Sequence, residues 1–360
     1  MSDPAAPLRL GILHLGPDGS GVRRYGRIVA GAARAAGIAV TEASVPANGG
    51  IRALAVAARA VAPCDVVEVQ WQLADWGGVR RAVPRVAAFL LLCRRPLVVT
   101  LHDVYPRTGF ADRWLAPAAI CVRLLARRAR ALVVHDAEEE RRLATFLRTD
   151  RVRVVPHFVE TLPDLPARAA AKAELGLAGR RVVTLQGYMT RRKGHALVLE
   201  ALRSLPDDVT AIFAGATIAG RDARADELRA RAAELGVTDR VVFTGWVSDE
   251  RLRTILAATD VALAPYQEMS ASGSLSTWIA SGRPIVASGL PQMRAYAALV
   301  PGALRIADPC TPATIAAAVG ALLAEPPPDP DPAVARLADL LALPRIAVRY
   351  AQVWQGAAGR

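Results

Sequence analysis

Lysine is nearly missing from this chain. Of its 45 basic residues, 43 are Arg, and the two lysines are Lys172 and Lys193. A chain that has let its exchangeable lysines go keeps one where a compact ammonium does what a planar guanidinium cannot. Lys193 stands in the loop GYMTRRKGH that follows an apolar strand, whereas Lys172 stands in the polar helix ARAAAKAELG and reads as incidental. Aromatic residues are also scarce, at 5%, and no basic–aromatic interleaving appears, so nucleic acid is excluded as a partner although the net charge is +12. Apolar runs are short. The longest conspicuous one, AAFLLLC, is closed by Arg94 and Arg95, well under the roughly 18 residues a bilayer span needs. The four cysteines (64, 93, 121 and 310) show no C-x-x-C or metal-ligand spacing. Reduced thiols and a cytoplasmic location are expected. The start carries Asp3 and Pro4 and no basic run, so no signal peptide is expected.

What is present is length and alternation. At 360 residues, 52% of them hydrophobic, the chain exceeds one ordinary core. Apolar strand candidates alternate with helical stretches: LRLGILHLG, IAVTEASV, DVVEVQW, PLVVTLHD, ALVVHD and VRVVPH. After a Pro-containing seam over 158–179 come RRVVTLQGY, DVTAIFAG, RVVFTGW, DVALAPY, PIVASG and ALRIAD. Such alternation with apolar strands predicts parallel sheets covered on both faces. The expected organisation is a first domain over 1–163, a linker over 164–177 and a second domain over 178–342. The amphipathic helix of 343–360 then crosses back to the first domain. Residues 1–165 hold 23 Arg against 15 Asp and Glu, so the first half carries most of the positive excess. The run Arg123, Arg127, Arg128 and Arg130 on a helix of 113–130 reads two ways. It is a solvated face whose cations complement a helix C-terminus, or a dock for anionic lipid. The Asp-x-Asp of EPPPDPDP, inside a proline run, reads as stiff surface.

Ligands of such sheets bind at the carboxyl ends of the strands. There the chain places Gly19, Ser20 and Gly21, then His102 with Asp103, then the loop 187–193, and the serine-rich stretch SASGSLSTWIASG. Small hydroxyls and a glycine ahead of a helix serve as caps, but they also let an anion reach free N–H groups at a positive helix end. The Gly-x-Gly of 19–21 is not a full G-x-G-x-x-G, which argues against a dinucleotide site. His195 reads as a cap or a ligand, and His135, His157 and His14 as mainly structural.

The order of these pieces resembles the family-4 retaining glycosyltransferases. The resemblance spans nearly the whole chain. GPDGSGVRRYGRIVAGAARAAGIAV resembles that family's first loop and helix, VVTLHDVYP its acceptor-side strand and His, and RVVPHF the end of its first domain. GYMTRRKGHALVLEAL resembles the G-R-x4-K-G loop, VVFTGWVSDERLRTILAATDVALAP the strand–helix–strand before the donor loop, and WIASGRPIVAS the E-A-M-A-x-G-x-P-V-V-A segment. The resemblance implies an α/β chain of GT-B architecture, two Rossmann-like parallel-sheet domains facing across a cleft. It implies transfer of a sugar from a nucleotide diphosphate sugar to a hydroxyl acceptor with retention, and no cofactor or metal. Carried onto this chain, His102, Lys193 and Glu268 become catalytic candidates. Gly19, Ser20, Gly21, Arg191, Arg192, Lys193, Ser272, Gly273 and Ser274 become the diphosphate set, and Thr277 the ribose contact. The departures are Tyr188 where the family has Arg, Thr277 at the second of its two Glu positions, and Met269 at the first with Glu268 one place earlier. These keep two alternatives open, a sugar-nucleotide-binding partner protein with weak or no turnover and a sugar-nucleotide epimerase. Peripheral contact of the basic first domain with an anionic membrane is also expected.

Overall fold

The computed structural model describes residues 7–46, 48–104, 116–217, 223–268 and 273–360. The chain divides into two units, Met1–His157 with Leu343–Arg360, and Phe158–Ala342. Among the described residues no helix is long and apolar enough to cross a membrane.

The first unit holds strands β1 (Arg9–Leu15), β2 (Ala39–Val45), β3 (Val66–Trp71), β4 (Leu97–Leu101), β5 (Ala129–Val134) and β6 (Val152–Val154) in one parallel sheet, ordered β2-β1-β3-β4-β5-β6. Its helices are α1 (Gly21–Ala35), α2 (Ile51–Ala60), α3 (Gly78–Leu92), α4 (Ala116–Arg128), α5 (Ala137–Ala144) and, from the far end of the chain, α14 (Leu343–Ala358). Side chains alternate across a strand. Val67, Val69 and Trp71 of β3, with Leu97, Val99 and Leu101 of β4, therefore share a core with Leu54, Val86 and Phe89 of α2 and α3. The opposite face presents Glu68, Gln70, Thr100 and, just past β4, His102, all buried. α1 and α14 reach this face. Tyr25 and Tyr350 meet hydroxyl to hydroxyl at 2.9 Å, and Trp354 Nε1 donates to Glu68 at 2.6 Å. Arg130 lies in β5 rather than on the preceding helix, which ends at Arg128 where the buried Ala129 opens the strand.

The second unit holds β7 (Arg181–Gln186), β8 (Val209–Ala214), β9 (Val241–Gly245), β10 (Val261–Ala264), β11 (Ile285–Ser288) and β12 (Leu304–Ala307), also parallel and ordered β12-β11-β10-β7-β8-β9. The stretch 164–177, expected as a linker, is a packed part of this unit. It contains α6 (Arg168–Glu174), which lays Ala171 against Ala257 and Ala258 of α9 (Asp249–Ala258). Phe158 and Val159 belong here too, and the Val159 N–H donates to the Leu341 carbonyl at 2.8 Å. Lys172, expected to be incidental, is not. Its ammonium reaches Asp260 at 2.6 Å and the Arg180 carbonyl at 2.9 Å, tying α6 to the start of the sheet.

In each sheet the strand order reverses direction at one place, between β1 and β3 in the first and between β7 and β10 in the second. Loops leaving the carboxyl ends of such a pair diverge and leave a crevice, the usual ligand position in open parallel sheets.

Candidate functional site

In the second unit, β7 and β10 run side by side and deliver two loops to that crevice. β7 is followed by Gly187, which has φ +116°, and the loop closes in a 3-10 turn, Arg191–Lys193. Gly194 follows at φ +80°, and a Cβ there would stand 2.2 Å from the Pro265 carbonyl oxygen. Only glycine lets the two loops meet so closely. The contact brings Lys193 over the Tyr266 ring, Nζ 3.7 Å from the centroid, and within 2.7 Å of Ser274 Oγ. Tyr266 Oη lies 2.9 Å from the same Ser274 oxygen. Ser274 is the second residue of α10 (Gly273–Ser281), whose first turn faces this group. An ammonium, two hydroxyls and a helix N-terminus thus converge, the set that receives an anion. A Cβ at Gly187 would touch Lys193 Nζ and Ser274 Oγ at 3.5 and 3.4 Å, so a side chain there would narrow the opening.

The other expected residues of this unit are placed as follows. Arg191 and Arg192 are exposed and form surface ion pairs with Glu227 at 3.1 Å and Glu268 at 3.5 Å. Exposed pairs of this kind hold weakly and yield readily to a stronger anion. Glu268 is solvated, with Arg192 as its partner. The Thr277 hydroxyl donates to the Gly273 carbonyl at 3.0 Å, one turn back in its own helix, so it brings lone pairs rather than a proton to a ribose. Ser272 lies outside the described residues. His195 neither caps nor reaches out. It is wholly buried, edge-on to Phe213, and burial pushes its pKa down to about 3.

In the first unit, the loop after β1 meets the loop after β3. Ser20, of the expected diphosphate set, is tied to both loops. Its N–H closes a turn on the Pro17 carbonyl at 3.0 Å, and its hydroxyl caps α1 and donates to Asp75 at 2.7 Å, so both donors are committed. The Gly19 and Gly21 amides carry no hydrogen bond among the described residues, and a Cβ at either would meet nothing within 4 Å. Their smallness is therefore not demanded by packing inside the unit. His102 is buried, with Nε2 2.7 Å from Gln70 Oε1. Tyr25 stands at its edge at 4.8 Å and also touches His135 and His157 at 5.5 and 4.9 Å. Burial, then the neighbouring His135 and His157, hold the His102 pKa well below the ordinary value, so this ring works neutral. Burial likewise takes His135 down to about 3 and raises Glu139, which accepts the His135 N–H, to about 8.

Tyr266, Asp75, Glu68 and Gln70 were not singled out from the sequence. Tyr266 ends the run DVALAPY and looked like one more buried strand residue. Glu68 and Gln70 alternate inside DVVEVQW, and that i, i+2 polar pair in an apolar strand was the available signal.

A model of the family described as Glycosyl transferases group 1 matches residues 180–325, the part of the chain that contains the Lys193–Ser274–Tyr266 cluster. The 2-deoxystreptamine glucosyltransferase of Streptomyces kanamyceticus is 30% identical over 215 residues, 54% of this chain and 53% of that protein. The D-inositol 3-phosphate glycosyltransferase of Xylanimonas cellulosilytica is 32% identical over 174 residues, 46% of this chain and 42% of that protein. The chain thus spans about half the length of the curated relatives it matches. Among solved structures, Anabaena Alr3699/HepE in complex with UDP superposes with a TM-score of 0.76 at 17% identity, covering 97% of this chain and all of that one. WaaG, a glycosyltransferase involved in lipopolysaccharide biosynthesis, superposes with a TM-score of 0.67 at 17% identity, covering 96% of this chain and 100% of that one. At such identity these likenesses establish fold. Residues 180–325 thus resemble the group 1 glycosyltransferases, and the two six-stranded parallel sheets of the chain are those of the GT-B fold.

Proposed function

We propose that the chain is a nucleotide-sugar glycosyltransferase that moves a hexosyl group from a nucleoside diphosphate sugar to a hydroxyl acceptor with retention of configuration. The observation that carries this reading is the convergence of Lys193, Ser274 and Tyr266 at the N-terminus of α10. When the bond between sugar and diphosphate breaks, negative charge grows on the leaving phosphate. Fixed donors already aimed there lower the barrier without reorganising. Lys193 supplies a charge and α10 the positive end of its dipole, while Arg191 and Arg192 exchange their surface carboxylates for phosphate oxygens. With this much positive charge in place, the reading is metal-independent. The amides of Gly19 and Gly21 belong to the donor contacts of the first unit, and His102 to the sugar hydroxyls. In the retaining reading the departing phosphate takes the proton of the acceptor hydroxyl as the new bond forms on the same face. The HepE structures include one in complex with UDP-glucose, and the curated relatives named above are glycosyltransferases, which supports a UDP-hexose as the first donor to try.

Mass spectrometry of donor hydrolysis over a panel of UDP-, GDP- and TDP-sugars, with and without chelator, tests the proposal. Release of sugar from one donor, unaffected by chelator, is the expected result. Tight nucleotide-sugar binding with neither hydrolysis nor transfer would favour the binding-protein alternative, and a changed sugar still attached to the nucleotide would favour an epimerase.

The reading includes peripheral contact with an anionic membrane at its cytoplasmic face. The neighbouring helices α2, α3 and α4 hold eight arginines and no Asp or Glu. The same helices expose Ile51, Val56, Leu91 and Ile120. Each basic residue near a charged bilayer adds about 1 kcal/mol. Co-sedimentation with phosphatidylglycerol vesicles, lost in high salt and absent with phosphatidylcholine alone, is expected. Equal behaviour with both lipids would sink this part.

A further inference from the structure

β3 puts Glu68 and Gln70 two residues apart on the sheet face that also carries Thr100 and His102, and all four are buried. Polar groups in such a place cost free energy unless each is paired. Their partners form an ordered chain. Trp354 Nε1 of α14 donates to Glu68 Oε2 at 2.6 Å. Thr100 Oγ1 and Gln70 Nε2 donate to Glu68 Oε1, the latter at 3.1 Å. Gln70 Oε1 in turn meets His102 Nε2 at 2.7 Å.

Donor and acceptor chemistry sets the direction of every link. An indole N–H and an amide NH2 only donate, so Glu68 accepts from both. The Gln70 NH2 is then committed to Glu68, which turns its carbonyl oxygen toward His102. A carbonyl oxygen only accepts, so the hydrogen sits on His102 Nε2. Nδ1 of a neutral ring is left as an acceptor.

We propose that Glu68 and Gln70 are positioning residues that hold His102 as the Nε2–H tautomer, so that its Nδ1 accepts a hydroxyl of the donor sugar, with Trp354 clamping the far end of the relay. The sugar contact rests on the transferase reading above; the tautomer does not. The relay gives the last helix a function, since a residue more than 250 positions downstream of His102 fixes where its ring proton sits. It also explains why a central strand keeps a Glu and a Gln where apolar residues would pack at lower cost.

Long-range nitrogen-15 spectra of histidine-labelled protein without ligand report whether each ring nitrogen carries hydrogen. The His102 signals are identified by their loss in His102→Gln. Expected are a protonated Nε2 and a bare Nδ1 in the unmodified protein, and a mixture of tautomers in Gln70→Leu. Trp354→Phe, which keeps the ring packing and removes one donor to Glu68, shifts the mixture the same way by less and serves if Gln70→Leu does not fold. A bare Nε2 in the unmodified protein, or an unchanged Nε2–H in folded Gln70→Leu, overturns the relay. For the sugar contact, Gln70→Leu should lower kcat for transfer or donor hydrolysis about tenfold, the scale of one hydrogen bond, with calorimetric affinity for UDP unchanged. An unchanged kcat overturns that contact. A protein that shows the tautomer but turns over no donor leaves the relay standing and removes the transferase reading.

Discussion

The two lysines show how much one residue can say and how it can mislead. Scarcity marked both positions, and the structure gives both a use. Lys193 sits over Tyr266 against Ser274, where a guanidinium would have to displace the ring or the loop. Lys193→Ala is expected to cut kcat/KM by ten- to a hundredfold, the scale of a charge-assisted contact of about 1.5–3 kcal/mol. Lys193→Arg should recover only part of it. Lys172 acts on stability instead. It joins Asp260 to α6 with both partners largely buried, so Lys172→Ala leaves a carboxylate short of a donor. A fall in the urea midpoint with unchanged kinetics is expected, worth about 1–3 kcal/mol. Matching kinetic losses at both lysines would refute the division of roles. The scarcity was legible in the sequence. The division was not, because it depends on what Asp260 and Tyr266 bring from 88 and 73 positions further along the chain.

Among the elements, the last helix carries the largest consequence. α14 shows an apolar face with Tyr350 and Trp354 one turn apart, stacked at 5.4 Å. Its tips are polar, and both find partners inside the first unit, Tyr25 and Glu68. Deleting 343–360 is expected to speed hydrogen exchange in β3, β4 and α1 and to leave 180–340 unchanged. Faster exchange confined to 180–340 would show the opposite allegiance. The strands were legible because apolar runs of four to seven residues bounded by Gly, Pro or Asp are hard to read otherwise. The seam is less legible. ARAAAKAE is short and mostly polar, and nothing local shows that Ala171 packs on α9 and that Lys172 has a buried carboxylate to meet.

For the whole molecule, the buried ionisable groups predict a stability profile with a maximum slightly below neutrality. Glu68 and Glu139 have pKa values raised to about 7 and 8 by burial. The folded state therefore holds their protons where the unfolded chain has lost them, and stability declines as pH rises from about 4.5 through 7 to 8. His135 and His195, both lowered to about 3 by burial, and His102, lowered well below its usual value, act with the opposite sign. The unfolded chain binds protons that the fold refuses, so stability declines as pH falls below about 6.5. The histidines govern the acid side and the carboxyls the alkaline side, which puts the maximum near pH 6.5. Urea midpoints from pH 4 to 9 check this, and the decline on the alkaline side should be shallower in Glu68→Gln. A midpoint that is flat or rising between pH 6.5 and 8 would refute it.

The sequence by itself determined the class of fold and the places where a ligand could enter. Both follow from local pattern. Apolar strands alternating with amphipathic helices leave one economical arrangement, and the loops at the strand ends are then known before any contact is. What tertiary structure alone decided is which side chains are already spent. Ser20 has the composition of an anion contact, yet Pro17 and Asp75 take both its donors. Glu68 and Gln70 look like interruptions of a strand, yet Trp354 and His102 make them a directed chain. A donor already bonded is not available to a ligand, and partners such as Asp75, His102 and Trp354 come from far along the chain, outside any window of local sequence.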